Sequence, residues 1–163
     1  MRPTKDRIRE AVFNMIAEWV PSARVLDLFA GTGAYGLEAI SRGAQNAVFV
    51  ENNVLCAKNI LENSDILGCR SQVTVVVSES DEYISGSEPS GNKFALIFAD
   101  PPFNKGLAKK TLLMVNNYDI LNRPGLLVVE HHIDERLPES SSGITLLKQK
   151  TYKDILITVF LKK

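Results

Sequence analysis

The chain has 163 residues, 45% of them apolar and 23% charged, which suits one globular domain with a core of its own. Nineteen Lys and Arg balance nineteen Asp and Glu, which argues against a uniformly basic nucleic-acid binder, although the stretch 2–10 is locally basic. No run approaches the roughly 20 apolar residues of a membrane helix, no secretory signal opens the chain, and Cys56 and Cys69 form no C-x-x-C, so a reduced cytoplasmic protein without a zinc or other metal site is expected.

In chain order, Thr4 is a candidate N-cap for a helix of about 15 residues, with Ile8, Val12, Met15, Ile16 and Trp19 forming its apolar stripe. Pro21 and Ser22 end it. Residues 24–30 read as a buried strand interrupted only by Asp27, and they run into Gly31, Gly33 and Gly36 and then a helix that closes at Arg42-Gly43. Strand, glycine turn and helix form the layout of a nucleotide-binding loop, in which glycine lets a ligand approach the main chain. The spacing G-x-G-x-x-G alone fits NAD, FAD, S-adenosylmethionine (SAM) or a purely structural turn. Asp27 can accept hydrogen bonds from a cationic ligand. Glu51 ends a second strand at 47–50, where an acidic residue can hold both hydroxyls of a ribose.

Residues 53–67 read as a helix with Leu55, Ile60, Leu61 and Leu67 apolar and Gly68 as its stop. A third strand is expected at 72–78, a short helix at 81–84, a polar loop at 86–92 and a fourth strand at 94–99. A helix over 106–117, a turn at 121–125 and a fifth strand at 126–129 follow. A polar loop at 134–143 leads to two strands, 144–149 and 155–161, joined near Tyr152-Lys153-Asp154. This alternation predicts an α/β fold: a mostly parallel seven-stranded sheet with helices on both faces and a C-terminal antiparallel hairpin, in one domain over 1–163. Ligands lie outside the carboxyl ends of such strands. Asp27, Glu51, residues 78–81, Asp100 and Glu130-His131 all fall there.

Asp100-Pro101-Pro102-Phe103 decides the class. Two prolines after a buried strand keep the chain extended and remove two backbone donors. A carboxylate and a proline carbonyl can then both accept from one NH2 group, and Phe103 is placed to stack on a flat ring. The alternative is a proline-rich turn with no ligand. The motif resembles motif IV of amino-directed nucleic-acid N-methyltransferases. Asp27-Leu28-Phe29-Ala30-Gly31-Thr32-Gly33-Ala34, with Gly36-Leu37-Glu38-Ala39 and Ser41-Arg42-Gly43-Ala44, resembles their motif I in one branch. The opening Arg2-Pro3-Thr4-Lys5-Asp6-Arg7-Ile8-Arg9-Glu10 resembles the start of the RsmD-type 16S rRNA guanine-N2 methyltransferases, and the likeness spans nearly the whole chain.

That resemblance implies a Rossmann-like class I methyltransferase fold, SAM as cofactor, and 16S rRNA of the small ribosomal subunit as partner, with the enzyme a monomer. It implies that Asp27, Gly31 and Gly33 bind the methionine end of SAM and Glu51 its ribose, with Phe29, Ala30, Asn52 and Asp100 in the same site. Ser80 and Asp81 fall at the adenine-contacting turn, where Ser80 replaces the usual Asp or Asn. Asp100, Pro101, Pro102 and Phe103 would hold the target guanine, and Arg2, Thr4 and Arg7 would lie near the mouth with the RNA. The family carries a basic β-hairpin before the R-P-T motif, where this chain starts, so weakened RNA affinity is expected. The rivals are a DNA adenine-N6 methyltransferase, a NAD-dependent oxidoreductase and a non-catalytic SAM-binding ribosome-assembly factor. The first lacks room for a domain that reads base edges, and the second leaves Asp-Pro-Pro-Phe unexplained. The intact motif weighs against the third.

Overall fold

The apolar runs become the central strands of one mixed sheet. The computed structural model describes residues 4–87 and 93–163, so Arg2 and most of the expected loop at 86–92 lie outside the described residues. Helix α1, Lys5–Ile16, starts where Thr4 accepts the Arg7 N–H at 3.2 Å, and a 3-10 turn, Ala17–Trp19, completes the expected length. The elements then alternate: β1 Arg24–Leu28, α2 Ala34–Ser41, β2 Asn46–Glu51, α3 Val54–Ile66, β3 Val73–Val77, α4 Ser80–Ser85, β4 Phe94–Ala99, α5 Leu107–Asn117 and β5 Leu121–His132. Strands β6 Ser140–Ser141, β7 Ile144–Tyr152 and β8 Ile155–Lys162 end the chain.

The sheet order is β3-β2-β1-β4-β5-β8-β7-β6, parallel through β5 and antiparallel from β8 onward. Eight strands are present among the described residues where seven are expected. The extra one is the two-residue β6, whose Ser140 and Ser141 pair with Thr145 and Ile144 across a turn at Ser142 and Gly143 with φ of 28° and 91°. Two residues are too few to carry an alternating pattern. The expected turn at 121–125 is instead the start of β5. A register shift between Phe94 and Leu96 lets the strand absorb Pro124 and Gly125.

Residue parity divides the core into two layers. Val25, Phe49, Leu96, Phe98, Leu126, Val128, Ile157 and Val159 pack with Ile8, Val12 and Phe13 of α1, Ala39 of α2 and Ile60 of α3. Leu26, Leu28, Val48, Val50, Ile97, Ala99, Leu127, Val129 and Phe160 pack with Ile84 of α4 and Ala108, Leu112 and Val115 of α5. A sheet covered on both faces explains why these strands read as continuous apolar runs. Of the apolar residues noted over 53–67, Leu55 in α3 and Leu67 just after it are 72% and 64% exposed. That helix buries only Ala57, Ile60 and Ser64, one narrow seam.

Candidate active site

The strand order reverses between β1 and β4, and there a cavity of about 590 Å³ opens at the carboxyl ends of the strands. Its position follows from register. Leu28 pairs with Val50 and with Ala99, and Ala99 pairs with Val129, so the next residues along, Phe29, Glu51, Asp100 and Glu130, share one row. Parity adds direction. Glu51 follows Phe49, Asp100 follows Phe98 and Glu130 follows Val128 by two residues, so all three belong to the face covered by α1, α2 and α3. Asp27 has the same parity but sits two residues deeper in β1.

The glycine turn is held by this row. Gly31 N–H donates to one Glu51 oxygen and Asn53 N–H to the other, both at 2.8 Å. Gly36 N–H, in the first turn of α2, donates to Asp27 at 3.0 Å. Gly33 has φ 77° and caps α2 in the left-handed conformation that glycine tolerates. Phe29 also has positive φ, 56°, which turns the chain out of β1, and its N–H donates to the Ser80 hydroxyl at 3.2 Å.

The second motif faces the same space. Asp100, Pro101, Pro102 and Phe103 all line the cavity, and Phe103 packs edge-on against His132 at a ring distance of 5.9 Å. His132 is itself braced by Asp134 at 3.4 Å and Asp154 at 3.8 Å. Below them, Glu130 is buried and accepts the Tyr35 hydroxyl at 2.8 Å, and the Tyr35 ring stacks on Phe98 at 4.9 Å. Asp100 and Glu130 lie side by side at the ends of paired strands.

The electrostatics are one-sided. Glu51, Glu79, Asp100, Glu130 and Asp154 line the cavity, and Lys5 is the one Lys or Arg among the lining residues described. Burial pushes the Asp27 carboxyl well above its ordinary range, against the Gly36 amide. Burial, with the neighbouring Glu130 charge, pushes Asp100 up to about 7, and Lys5 pulls the other way. Burial and Glu130 likewise drive the Tyr35 hydroxyl far up, so it stays a donor. Such a cavity suits a ligand that brings positive charge with it, and it opposes a dinucleotide with two phosphates.

Comparison with known proteins agrees. The model of the family described as Conserved hypothetical protein 95 matches residues 1–161. The Ribosomal RNA small subunit methyltransferase D of Escherichia coli (strain K12) is 33% identical over 150 residues, which is 92% of this chain and 74% of that protein. The protein of the same name from Haemophilus influenzae is 33% identical over 151 residues, 93% of this chain and 78% of its own length. The chain belongs to this family, the RsmD family. A solved structure of a conserved hypothetical protein from Streptococcus pyogenes superposes with TM-score 0.86 at 31% identity, covering 95% of each chain.

Against the expectations for this RsmD-family chain, the structure gathers Phe29, Glu51, Asn52, Ser80, Asp100, Pro101, Pro102 and Phe103 around one cavity. It leaves others aside. Asp27 is buried beneath the glycine turn, spends an oxygen on Gly36 and does not line the cavity, because it lies two residues short of the strand end. Gly31 and Gly33 shape the turn, while Ala30 N–H donates to Val50. Asp81 pairs with Lys110 at 2.9 Å in a smaller adjoining cavity of about 70 Å³, which Ser80 and Phe29 also line. Thr4 serves as a helix cap and Arg7 is exposed on α1, with neither lining the cavity; Arg2 lies outside the described residues. Sequence reasoning put Glu130 at the ligand-facing sheet edge without giving it a role, and passed over Lys5 and Tyr35 as site residues. The role of Glu130 was open to inference from the parity and strand-end position that it shares with Asp100, but Tyr35 and Lys5 carry no local signal.

Proposed function

We propose that this chain is a SAM-dependent rRNA methyltransferase that modifies the exocyclic N2 of a guanine in 16S rRNA of the small ribosomal subunit, working as a single-domain cytoplasmic monomer. The carrying observation is the convergence of Glu51 with Asp100-Pro101-Pro102-Phe103 on one acidic cavity at the switch point of the sheet. The relatives' names, ribosomal RNA small subunit methyltransferases, support the substrate class.

When bound, SAM supplies an electrophilic methyl group carried on a sulfonium. Glu51 has two acceptor positions left after Gly31 and Asn53, enough for two ribose hydroxyls. The acidic lining faces the cations of the cofactor. Asp100 and the Pro101 carbonyl accept from the guanine amine, and Phe103, propped by His132, stacks on the base. A base reaches this site only from a loop or after flipping out of its stack. Positioning of the two reactants is then the main contribution of the protein.

The test is methyl transfer from labelled SAM to small ribosomal subunits, naked 16S rRNA and DNA in parallel, with the product nucleoside identified by mass spectrometry. N2-methylguanosine from 16S rRNA is expected; N6-methyladenine in DNA, or no transfer to any of the three, overturns the reading. Asp100→Ala is expected to lower single-turnover rate about 100-fold or more, as for loss of one electrostatic partner of the transition state, with SAM affinity changing far less.

A further inference from the structure

Two carboxyl groups stand side by side at the ends of adjacent strands. Ala99 pairs with Val129, which sets Asp100 beside Glu130, close enough for the Glu130 charge to raise the Asp100 carboxyl. Two carboxylates side by side cannot both ionise cheaply, so the ionised Asp100 beside Glu130 takes up a proton more readily than an isolated carboxylate. Glu130 has little freedom. It is buried, and the Tyr35 hydroxyl grips it at 2.8 Å from beneath. Tyr35 is in turn locked between Phe98 and Phe13, at ring distances of 4.9 Å and 6.3 Å. A buried acid held by a half-buried phenol is a costly way to fill a core, since apolar side chains of similar volume would serve packing as well or better.

We infer that Glu130, clamped by Tyr35, is a positioning residue for Asp100: it fixes which Asp100 oxygen faces the substrate amine and shares the proton which that amine releases. This rests on the methyl-transfer reading above. In the transfer the N–CH3 bond forms from the nitrogen lone pair, the S–CH3 bond breaks with its electron pair left on sulfur, and the nitrogen becomes positive. Its N–H proton passes to Asp100, where the Glu130 carboxylate accepts a hydrogen bond from it. The pair therefore starts without a shared proton and ends with one. The surroundings favour this cycle. Lys5 of α1, Asp27 of β1, Tyr35 of α2 and Glu51 of β2 surround the pair, with Asp154 lining the same cavity and His132 behind Phe103. Acids outnumber Lys5, so Asp100 is a stronger base than an isolated carboxylate, pushed by burial and by Glu130 to about 7. A base matched to the working pH transfers protons most effectively.

The experiment has two arms on the full chain. The first follows side-chain carboxyl carbons by 13C NMR through a pH titration of the SAM-free protein. Asp100 is expected to titrate near 7 in the wild type and at least about one pH unit lower in Glu130→Gln, where the neighbouring charge is gone. The second measures the pH dependence of kcat/KM for SAM with 16S rRNA as acceptor, which reports groups of the free enzyme. In Glu130→Gln the rising limb should move the same way and the plateau should fall at least about tenfold, within the range of proton-transfer catalysis, with Glu130→Asp recovering part. If Glu130→Gln fails to fold, Tyr35→Phe keeps the carboxylate, removes its clamp and is expected to lower the plateau. An Asp100 titration unchanged by loss of the Glu130 charge, or by loss of the clamp where only that variant folds, overturns the pairing. A shifted titration with a wild-type rate profile overturns the positioning role. A wild type that binds SAM but transfers no methyl to RNA fails the proposed function instead, and the titration then still decides the pair.

Discussion

Each Glu51 oxygen already accepts one backbone N–H, from Gly31 and from Asn53. The same carboxylate therefore shapes the glycine turn and faces the cavity. Glu51→Gln keeps the shape but turns an NH2 group toward one of those N–H donors, leaving a donor against a donor. SAM affinity is expected to fall about ten- to a hundredfold, the cost of hydrogen bonds to a charged acceptor at roughly 1.5–3 kcal/mol. Isothermal titration calorimetry checks this, and NAD binding tighter than SAM would defeat the cofactor assignment. Asp27 differs in kind. It accepts the Gly36 N–H, and burial holds its carboxyl well above the ordinary range.

Helix α2 lies close on β2 because Gly36 has no side chain. A Cβ added there would stand 2.3 Å from the Phe49 ring, and Phe49 is fully buried. Gly36→Ala must push either the ring or the helix aside, at about 1–3 kcal/mol of overpacking. The urea midpoint is expected to drop with an unchanged slope, while a wild-type midpoint would show that the layer is looser than the contact implies. Gly31 makes the contrast: nothing lies within 4 Å of an added Cβ, so Gly31→Ala costs only the strain of φ +56°. One glycine of the motif serves helix–strand packing and another serves the turn.

The whole molecule is neutral, yet Glu51, Glu79, Asp100, Glu130 and Asp154 gather around one cavity. This has a consequence for stability. Asp100 is raised from 3.8 to about 7, first by burial and then by Glu130. A carboxyl raised in the folded state binds more protons there than in the unfolded chain. Its stabilising contribution is complete below pH 3.8 and is lost as pH rises through about 7. Asp100→Asn removes that loss. The SAM-free variant is expected to be more stable than wild type at pH 8, by on the order of 1–3 kcal/mol, and close to wild type at pH 4. Thermal melts at the two pH values measure it; equal stability at pH 8 would show that the acidic cavity carries no strain. Activity would be lost in the same variant, so stability is given up at this site for function.

Periodicity within the chain determined the strands β1 to β5, their alternation with helices and the closing hairpin, because a sheet covered on both faces imprints its burial directly on local sequence. The Asp100–Phe103 motif and Glu51 were legible for the same reason: strand ends are marked by the first polar residue after an apolar run. Local sequence did not determine β6, whose two residues carry no period, or the early start of β5, which depends on a register shift against β4. It did not separate the exposed Leu55 and Leu67 from the buried Ile60, since burial on α3 depends on how the helix meets β2 and β3. Nor did it reveal that Asp27 spends its carboxylate on Gly36, or that Tyr35 clamps a glutamate 95 positions away beside Asp100. Those contacts exist only once strands distant in sequence lie side by side, because hydrogen bonds and charge coupling depend on separation in space, which only the completed sheet sets.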